Sequence, residues 1–352
     1  MLNLFILARN NIPKTQMNKL HLFTTILLIF TFFLSCNEEI VVKTNEKKSN
    51  LKSWKEAPSF NADSAYQYIE RQISYGPRVP NTKEHIACGD YLIEKLNSFG
   101  ISTSEQIGEV TAFNRLKLPV RNITGTINPN AKKKILLCAH WDTRPFADRD
   151  TINTNQPIIG ANDGASGVGV ILEIARILKK DSLKIGVEIV FFDVEDYGAP
   201  SLNNSFFDLQ SMNDTWCLGS QYWSYNLPEN YLKPDFGILL DMVGAKGAVF
   251  PKEEISRKYA GYHLNKVWKL ADYLGYSQYF QKKVAPPLTD DHTYINQLAK
   301  IPTLDVIHYD VSPFSGRFDF GKFHHTHQDN MDIIDKATLK AVGQTILSYL
   351  YN

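Results

Sequence analysis

Cysteine is scarce in this chain: four residues in 352, too few and too irregularly spaced for a disulfide framework or a zinc ribbon. Excess charge is missing too. The 38 Lys+Arg against 37 Asp+Glu leave a formal charge of +1, so no overall field draws the chain to nucleic acid, and a nucleic-acid partner is not expected. No apolar run reaches the roughly twenty residues that a membrane-spanning helix needs, since Leu20 to Leu34 holds only about fifteen. Internal repeats and low-complexity segments are absent, which excludes solenoids and fibres. What remains is a chain with 43% hydrophobic and 12% aromatic residues, enough to bury one large core.

The apolar run has its own meaning. A basic stretch opening at Met17, the run from Leu20 and a small-residue end at Ser35-Cys36 form the three regions of an export signal. Phe33-Leu34-Ser35-Cys36 resembles a bacterial lipoprotein processing box, which would make Cys36 the lipidated first residue of the mature protein; a plain cleaved signal is the alternative. Residues 1–16 add no apolar segment and read as an over-long start before Met17. Residues 1–36 are thus expected to be an export or lipoprotein signal, 37–55 a polar tether, and 56–352 the catalytic domain. The protein is then exported, periplasmic or anchored to the outer membrane of a bacterium, and meets the membrane only through a lipid. Of the other cysteines, Cys88, Cys138 and Cys217, at most one pair is expected to bridge.

From about Ser53 helical and strand patterns alternate, as in an α/β sheet covered on both faces. Residues 65–75 and 84–99 read as amphipathic helices around a rigid Gly76-Pro-Arg-Val-Pro80 turn, and the helix after Gly164 carries Ile171, Ile174, Ala175 and Leu178 on one face. Residues 134–138, 187–192, 236–240 and 301–307 are short apolar runs, which fits strands buried on both faces. The expected fold is a three-layer α/β/α arrangement around a mixed, mostly parallel sheet.

Polar residues interrupt where those strands end: His140-Trp-Asp142 after the first, Asp193-Val-Glu-Asp196 after the second, Asp241 after the third. Ligands of open α/β sheets gather at the carboxyl ends of strands, so these groups are expected to share one crevice. A catalytic zinc needs about three nitrogen or oxygen ligands, an open position and a neighbouring proton carrier. His140, Asp163, Glu195, Asp196, Asp241 and His325 offer that set. Singly, each has a structural reading: Asp163 and Asp241 as helix caps, His324 to His327 as a surface cluster. Together they point to a metal centre.

The ordered motifs His-x-Asp, Asp163-Gly-Ala-Ser-Gly167, Phe191-Phe-Asp-x-Glu-Asp196, Leu240-Asp-Met-Val-Gly244, Asp290-Asp-His292 and His325-Thr-His-x-Asp-Asn330 resemble the zinc aminopeptidase superfamily that includes glutaminyl-peptide cyclotransferases. The resemblance runs from about Phe60 to the C-terminus. Trp141-Asp-Thr-Arg-Pro145, Trp216-Cys-Leu-Gly-Ser-Gln-Tyr-Trp223, Leu288-Thr-Asp-Asp-His292 and Leu339-Lys-Ala-Val-Gly-Gln-Thr345 are similar in particular to bacterial glutaminyl cyclases of the animal type.

That resemblance implies one zinc on Asp163, Asp196 and His325, with Glu195 as general acid and base. Adjacent residues beyond a strand end can aim one carboxylate at the metal and the other at the reacting atoms. Asp196 stands where a longer glutamate is usual, so the metal must sit closer or bind more weakly. His324 stands where many cyclases carry tryptophan. The implied substrates are peptides or proteins with N-terminal glutamine, which cyclise to pyroglutamate and release ammonia. Asp241 and Asp290, with Asp291 adjacent, would accept hydrogen bonds from the substrate nitrogens. Trp141, Trp216, Trp223, Asp291 and His324 are the pocket candidates, the tryptophans being equally readable as core. A two-zinc aminopeptidase is the rival, because His140 and Asp241 could complete a second metal position. A binding module that has lost catalysis is a third reading, which an intact Glu195 disfavours.

Overall fold

The structure, a computed structural model, describes residues 54–200 and 214–352 apart from position 182. The expected signal, the tether and Cys36 lie outside the described residues. Among those described, no helix is long and apolar enough to cross a membrane.

Six strands form the central sheet: β1 (Ser102–Thr111), β2 (Lys117–Ile127), β3 (Lys134–His140), β4 (Gly186–Phe192), β5 (Phe236–Asp241) and β8 (Thr303–Ile307), in the order β1-β2-β4-β3-β5-β8. The pairs β4–β3, β3–β5 and β5–β8 are parallel, whereas β1–β2 and β2–β4 are antiparallel. The sheet is therefore mixed, as expected. Its antiparallel edge escapes the apolar-run reading because β1 is exposed or half-buried along its whole length. A strand that buries neither face carries no hydrophobic signature.

Alternation along the parallel strands builds two cores. Ile135, Leu137 and Ala139 of β3, with Ile189 and Phe191 of β4 and Ile238 and Leu240 of β5, face the larger core. Leu136, Cys138, Val190, Phe192 and Leu239, the residues between them, face the smaller one. A period of two with both faces apolar requires cover on each side. The larger core is closed by α1 (Ala62–Ile73), α2 (Lys83–Ser98), α3 (Ala165–Lys180), α5 (Glu254–Tyr273) and α7 (Lys336–Leu350). Trp223 of α4 (Leu218–Tyr225) and Ile295, Ala299 and Ile301 close the other. This is the expected three-layer α/β/α arrangement.

Local signals set the helix ends. Asn61 caps α1 by accepting from the Ser64 N–H at 3.1 Å, and Thr82 caps α2 by accepting from the His85 N–H at 3.2 Å. Gly100, at φ 77°, ends the second helix in a conformation that favours glycine. A pair of short strands, β6 (Phe250–Glu253) and β7 (Phe280–Ala285), flanks α5. A two-residue hairpin, β9 (Asp310–Val311) with β10 (Phe318–Asp319), follows β8. A single turn, α6 (Asp291–Tyr294), precedes it.

Cys88, Cys138 and Cys217 are buried free thiols, with no bridge among them. The close approach of α3 to the sheet depends on Gly167, where a Cβ would meet the backbone carbonyl of Leu240. We predict that Gly167→Ala lowers the denaturation midpoint, because overpacking against backbone costs roughly 1–3 kcal/mol. A urea titration of the two proteins checks it, and an unchanged midpoint would refute the packing argument.

Candidate metal centre and active site

Parallel register carries the functional residues to one end. His140 pairs with Phe192 and Asp241 with Ile307, so the carboxyl ends of β3, β4, β5 and β8 lie side by side. Beyond them the backbone turns sharply. Val194, Cys217, Met242 and His325 all adopt positive φ, at 51°, 56°, 48° and 56°. A β-branched residue such as Val194 in that region is strained, and strain of this kind persists only where surrounding bonds over-determine it.

Those bonds are visible. The Asp142 carboxylate accepts from the backbone N–H groups of Glu195 at 3.0 Å and Asp196 at 3.2 Å. Asp329 accepts from the N–H groups of Asn162 at 2.7 Å and Asp163 at 3.0 Å. The Asn162 side chain in turn accepts from the Gly244 N–H at 2.8 Å. The turns at 142 and 195–196 are thereby locked to each other, and the loop at 162–163 to those at 244 and 329.

Asp163, Asp196 and His325 converge. His325 Nε2 is 3.1 Å from Asp196 Oδ1 and 3.8 Å from Asp163 Oδ2. Ligand atoms about 2 Å from a tetrahedral zinc stand about 3–4 Å apart, so these separations suit one ion. The donor chemistry fits as well: Asp163 Oδ2 and Asp196 Oδ2 are buried without a hydrogen-bond partner, a costly condition that a cation relieves. Asp163, His324 and His325 offer ligand atoms within 4.8 Å of one another, and Asp196 joins this group through its 3.1 Å contact with His325. His324 is a competing donor, with Nε2 3.9 Å from Asp163 Oδ2, but its Nδ1 already meets Arg149 Nη1 at 2.7 Å.

His325 is oriented from behind. Its Nδ1 lies 3.3 Å from Asp148 Oδ1, leaving Nε2 to face Asp163 and Asp196. Arg144 grips the same Asp148 through Nε at 2.7 Å and Nη2 at 2.8 Å. It also donates from Nη1 to the Asp196 carbonyl at 2.9 Å. Trp216 stacks on His325 with ring centroids 5.7 Å apart, and the Arg144 guanidinium lies 4.5 Å from the Trp216 ring centre.

His140 sits under the cluster, fully buried. Its Nε2 approaches both Asp163 Oδ1 at 3.0 Å and Asp241 Oδ1 at 3.2 Å. Desolvation opposes a charge on this imidazole, but Asp241, Asp142 and Asp163 outweigh it and raise its pKa well above the ordinary histidine value. Burial raises the Asp163 carboxyl in turn, yet the His140 hydrogen bond and the charges of His140, His324 and His325 win and hold it low.

Glu195 goes the other way. Burial first, then the charges of Asp196, Asp290 and Asp291, raise it well above the usual carboxylate range against the opposing pull of His140. Burial likewise pushes Asp241 up to about 7, with Asp163 and Asp290 adding to it and His140 resisting. Neighbouring carboxyl groups with pKa values driven apart are the signature of an acid/base site.

These groups line a cavity of about 760 Å³, with Asp163, Glu195, Asp196, Asp241, Asp290 and His325 on its walls. Trp216 and His324 line it too. Trp141 and Trp223 do not, and of their two sequence readings the core one describes where they lie. Trp141 is buried and stacks on His85 at 4.2 Å, and Trp223 packs edge-on to Phe192 at 5.6 Å in the smaller core. Both lie beside strands that bury two faces, so large aromatic residues there are consumed as core. Asp291 is fully buried behind Asp290 and does not reach the cavity wall.

Arg144, Asp148 and Asp329 were not singled out from the sequence, although Arg144 and Asp329 fall inside the quoted motifs, and Asp142 was named only as one of the strand-end groups. Their roles are to hold backbone or ligand, and a linear motif does not say which carboxylate binds and which supports.

Burial and Asp163 raise Asp329 to about 8 despite the two backbone N–H groups it accepts. A raised folded pKa favours the folded state most below the unfolded value of 3.8 and loses that contribution as pH rises through about 8. We therefore predict that chelator-treated protein loses stability between about pH 4 and 8 in part through Asp329, and that Asp329→Asn flattens this slope in urea titrations. Asp329→Ala, which strands two buried N–H groups, is expected to weaken zinc binding about 10–100-fold by competition with a chromophoric chelator. Wild-type affinity in that variant would deny Asp329 its supporting role.

The description of peptidase family M28 matches residues 122–350. Among solved structures, a glutaminyl cyclase from Bacteroides thetaiotaomicron bound to N-acetylhistamine is similar at 49% identity, with a TM-score of 0.78, covering 84% of this chain and 99% of that one. A Zn-dependent exopeptidase from Parabacteroides distasonis is similar at 45% identity and a TM-score of 0.79, covering 84% of this chain and 100% of that one. A glutaminyl-peptide cyclotransferase of Bothrops jararaca is 27% identical over 65% of each chain, so the chain spans slightly under two thirds of that relative's length. The family match thus spans the strand ends and the loops that carry these carboxylates and histidines, and the chain belongs to peptidase family M28.

Proposed function

We propose that this protein is a glutaminyl-peptide cyclotransferase, converting N-terminal glutamine of peptides or proteins to pyroglutamate with release of ammonia. The observation that carries the reading is Glu195: a buried carboxyl with raised pKa, next in sequence to the ligand Asp196, on the wall of a cavity it shares with Asp241 and Asp290. Similarity at 49% identity to a glutaminyl cyclase supports it.

Asp163, Asp196 and His325 would hold one zinc. When bound, zinc would polarise the γ-carbonyl of the substrate glutamine and stabilise the oxyanion that develops there. Glu195 accepts a proton from the α-amine as that nitrogen attacks the γ-carbon, then returns it to the amide nitrogen that leaves as ammonia. A carboxyl with a raised pKa suits both directions. Asp241 and Asp290 accept hydrogen bonds from the amine and amide nitrogens, which aligns them for ring closure. Trp216 walls the site and excludes water, whose attack would yield glutamate instead.

The two-zinc aminopeptidase reading has one observation in its favour. The ligand atoms of His140, Asp163 and Asp241 lie within 4.8 Å of one another, close enough for a second ion. In favour of the cyclase stands the 49% identity to a glutaminyl cyclase over 84% of this chain.

Incubated separately with a Gln-peptide and a Leu-peptide, the purified protein should release ammonia from the first and no leucine from the second. Metal analysis should find one zinc per chain, and chelation should abolish turnover until zinc is restored. Two tightly bound zincs with leucine release would establish the aminopeptidase instead. Glu195→Gln should lower kcat by about 10²–10⁴-fold while zinc content holds, and unchanged turnover would rule out the proton shuttle.

A further inference from the structure

A proton shuttle must present one carboxylate oxygen to its substrate and keep it there. Asp142 secures the Glu195 backbone, but a glutamate has three side-chain torsions beyond it. The side-chain hydrogen bond that this carboxylate accepts comes from Cys217, whose Sγ lies 3.1 Å from Glu195 Oε1. Oε2 is left 3.9 Å from His140 Nδ1, beyond hydrogen-bonding range.

The thiol is not there by chance of packing. Cys217 N–H donates to the Glu195 carbonyl at 2.9 Å, and Leu218 N–H to the Val194 carbonyl at 3.0 Å. The two segments are laced by backbone bonds while both Val194 and Cys217 hold left-handed conformations. Rigid backbone on each side fixes the approach of sulfur to oxygen. Cys217 is fully buried, and burial with the nearby Glu195, Asp290 and Asp291 charges raises its pKa well above the ordinary thiol value. It is therefore a hydrogen donor and not a nucleophile.

We propose that Cys217 is a positioning residue for the reaction: its S–H holds Oε1 of Glu195 so that Oε2 takes and returns the substrate proton. The chemistry explains why sulfur is suited to the place. A thiol is a weak, uncharged donor, so it restricts the carboxylate's rotation without removing its basicity. An arginine or lysine at the same point would bind the carboxylate strongly and suppress the proton transfer. The inference rests on Glu195 being the proton carrier in the cyclisation proposed above.

The test compares Cys217→Ala, which removes the donor, with Cys217→Ser, which replaces it. Both are assayed zinc-loaded, with ammonia release from a Gln-peptide scored per folded molecule. Cys217→Ala should lose about tenfold in kcat with KM within about twofold, and Cys217→Ser should recover most of that loss. A packing role gives the opposite order, because alanine suits an apolar recess better than a hydroxyl does. Equal kcat for all three proteins, or serine no better than alanine, would overturn the proposal.

An infrared measurement bears on the contact even if an alanine variant fails to fold. The S–H stretch lost in Cys217→Ser should lie at lower frequency in the unaltered protein than that of Cys88, and should rise when Glu195→Gln weakens the acceptor. A Cys217 band coincident with that of Cys88, or unmoved by Glu195→Gln, counts against the hydrogen bond itself. Absence of ammonia release by the unaltered enzyme would instead overturn the cyclase reading, while the infrared bands still judge the contact.

Discussion

Carboxylates removed from water govern this structure. Asp142, Asp163, Asp193, Glu195, Asp196, Asp241, Asp290, Asp291, Asp305 and Asp329 are all buried around the carboxyl ends of the parallel strands. Desolvating so many acids is expensive unless each is paired, hydrogen-bonded or protonated. The neighbourhood can be read as the ways in which that cost is met. Asp142 and Asp329 receive pairs of backbone N–H groups. Asp148 receives the Arg144 fork, and Asp163 and Asp241 share His140.

What these partners leave over is the functional part. Unpartnered oxygens remain on Asp163 and Asp196, beside His325, where a cation can sit, and deeper in on Asp290, Asp291 and Asp305. On the other side of Asp196, burial and the charges of Asp196, Asp290 and Asp291 outweigh the pull of His140 on Glu195 from 3.9 Å, so its carboxyl is raised and able to carry a proton. Two neighbouring acids in one strand-end turn thus acquire different tasks. Burial raises both carboxyls, but His325 and Arg144 oppose it at Asp196, while Asp290 and Asp291 add to it at Glu195 and a weakly donating thiol faces that carboxylate.

The sheet serves this arrangement through register. Parallel pairing brings His140, the Asp193-to-Asp196 turn and Asp241 to one level. The antiparallel β1–β2 edge adds a support: Arg121 on β2 donates its N–H to Asp193 at 2.8 Å, and Asn122 accepts from the Asp193 N–H at 3.0 Å. Even the strand with no apolar signature therefore has a neighbour that braces the turn holding Glu195 and Asp196.

Sequence alone determined the α/β class, the four parallel strands, the helix after Gly164 and the group of acids and histidines at strand ends, because each leaves a local mark: an apolar run, a 3.6-residue stripe or a polar interruption. It did not determine β1 and β2, whose exposed or mixed faces lack such a mark. Nor could it separate Trp216, which walls the cavity, from Trp141 and Trp223, which fill the cores, since all three are aromatic residues next to ligand motifs. The division of labour among the acids was likewise decided only in three dimensions. Whether a carboxylate binds a metal, carries a proton or supports backbone depends on which N–H, guanidinium, imidazole or thiol comes within about 3 Å, and those partners lie far away in the chain.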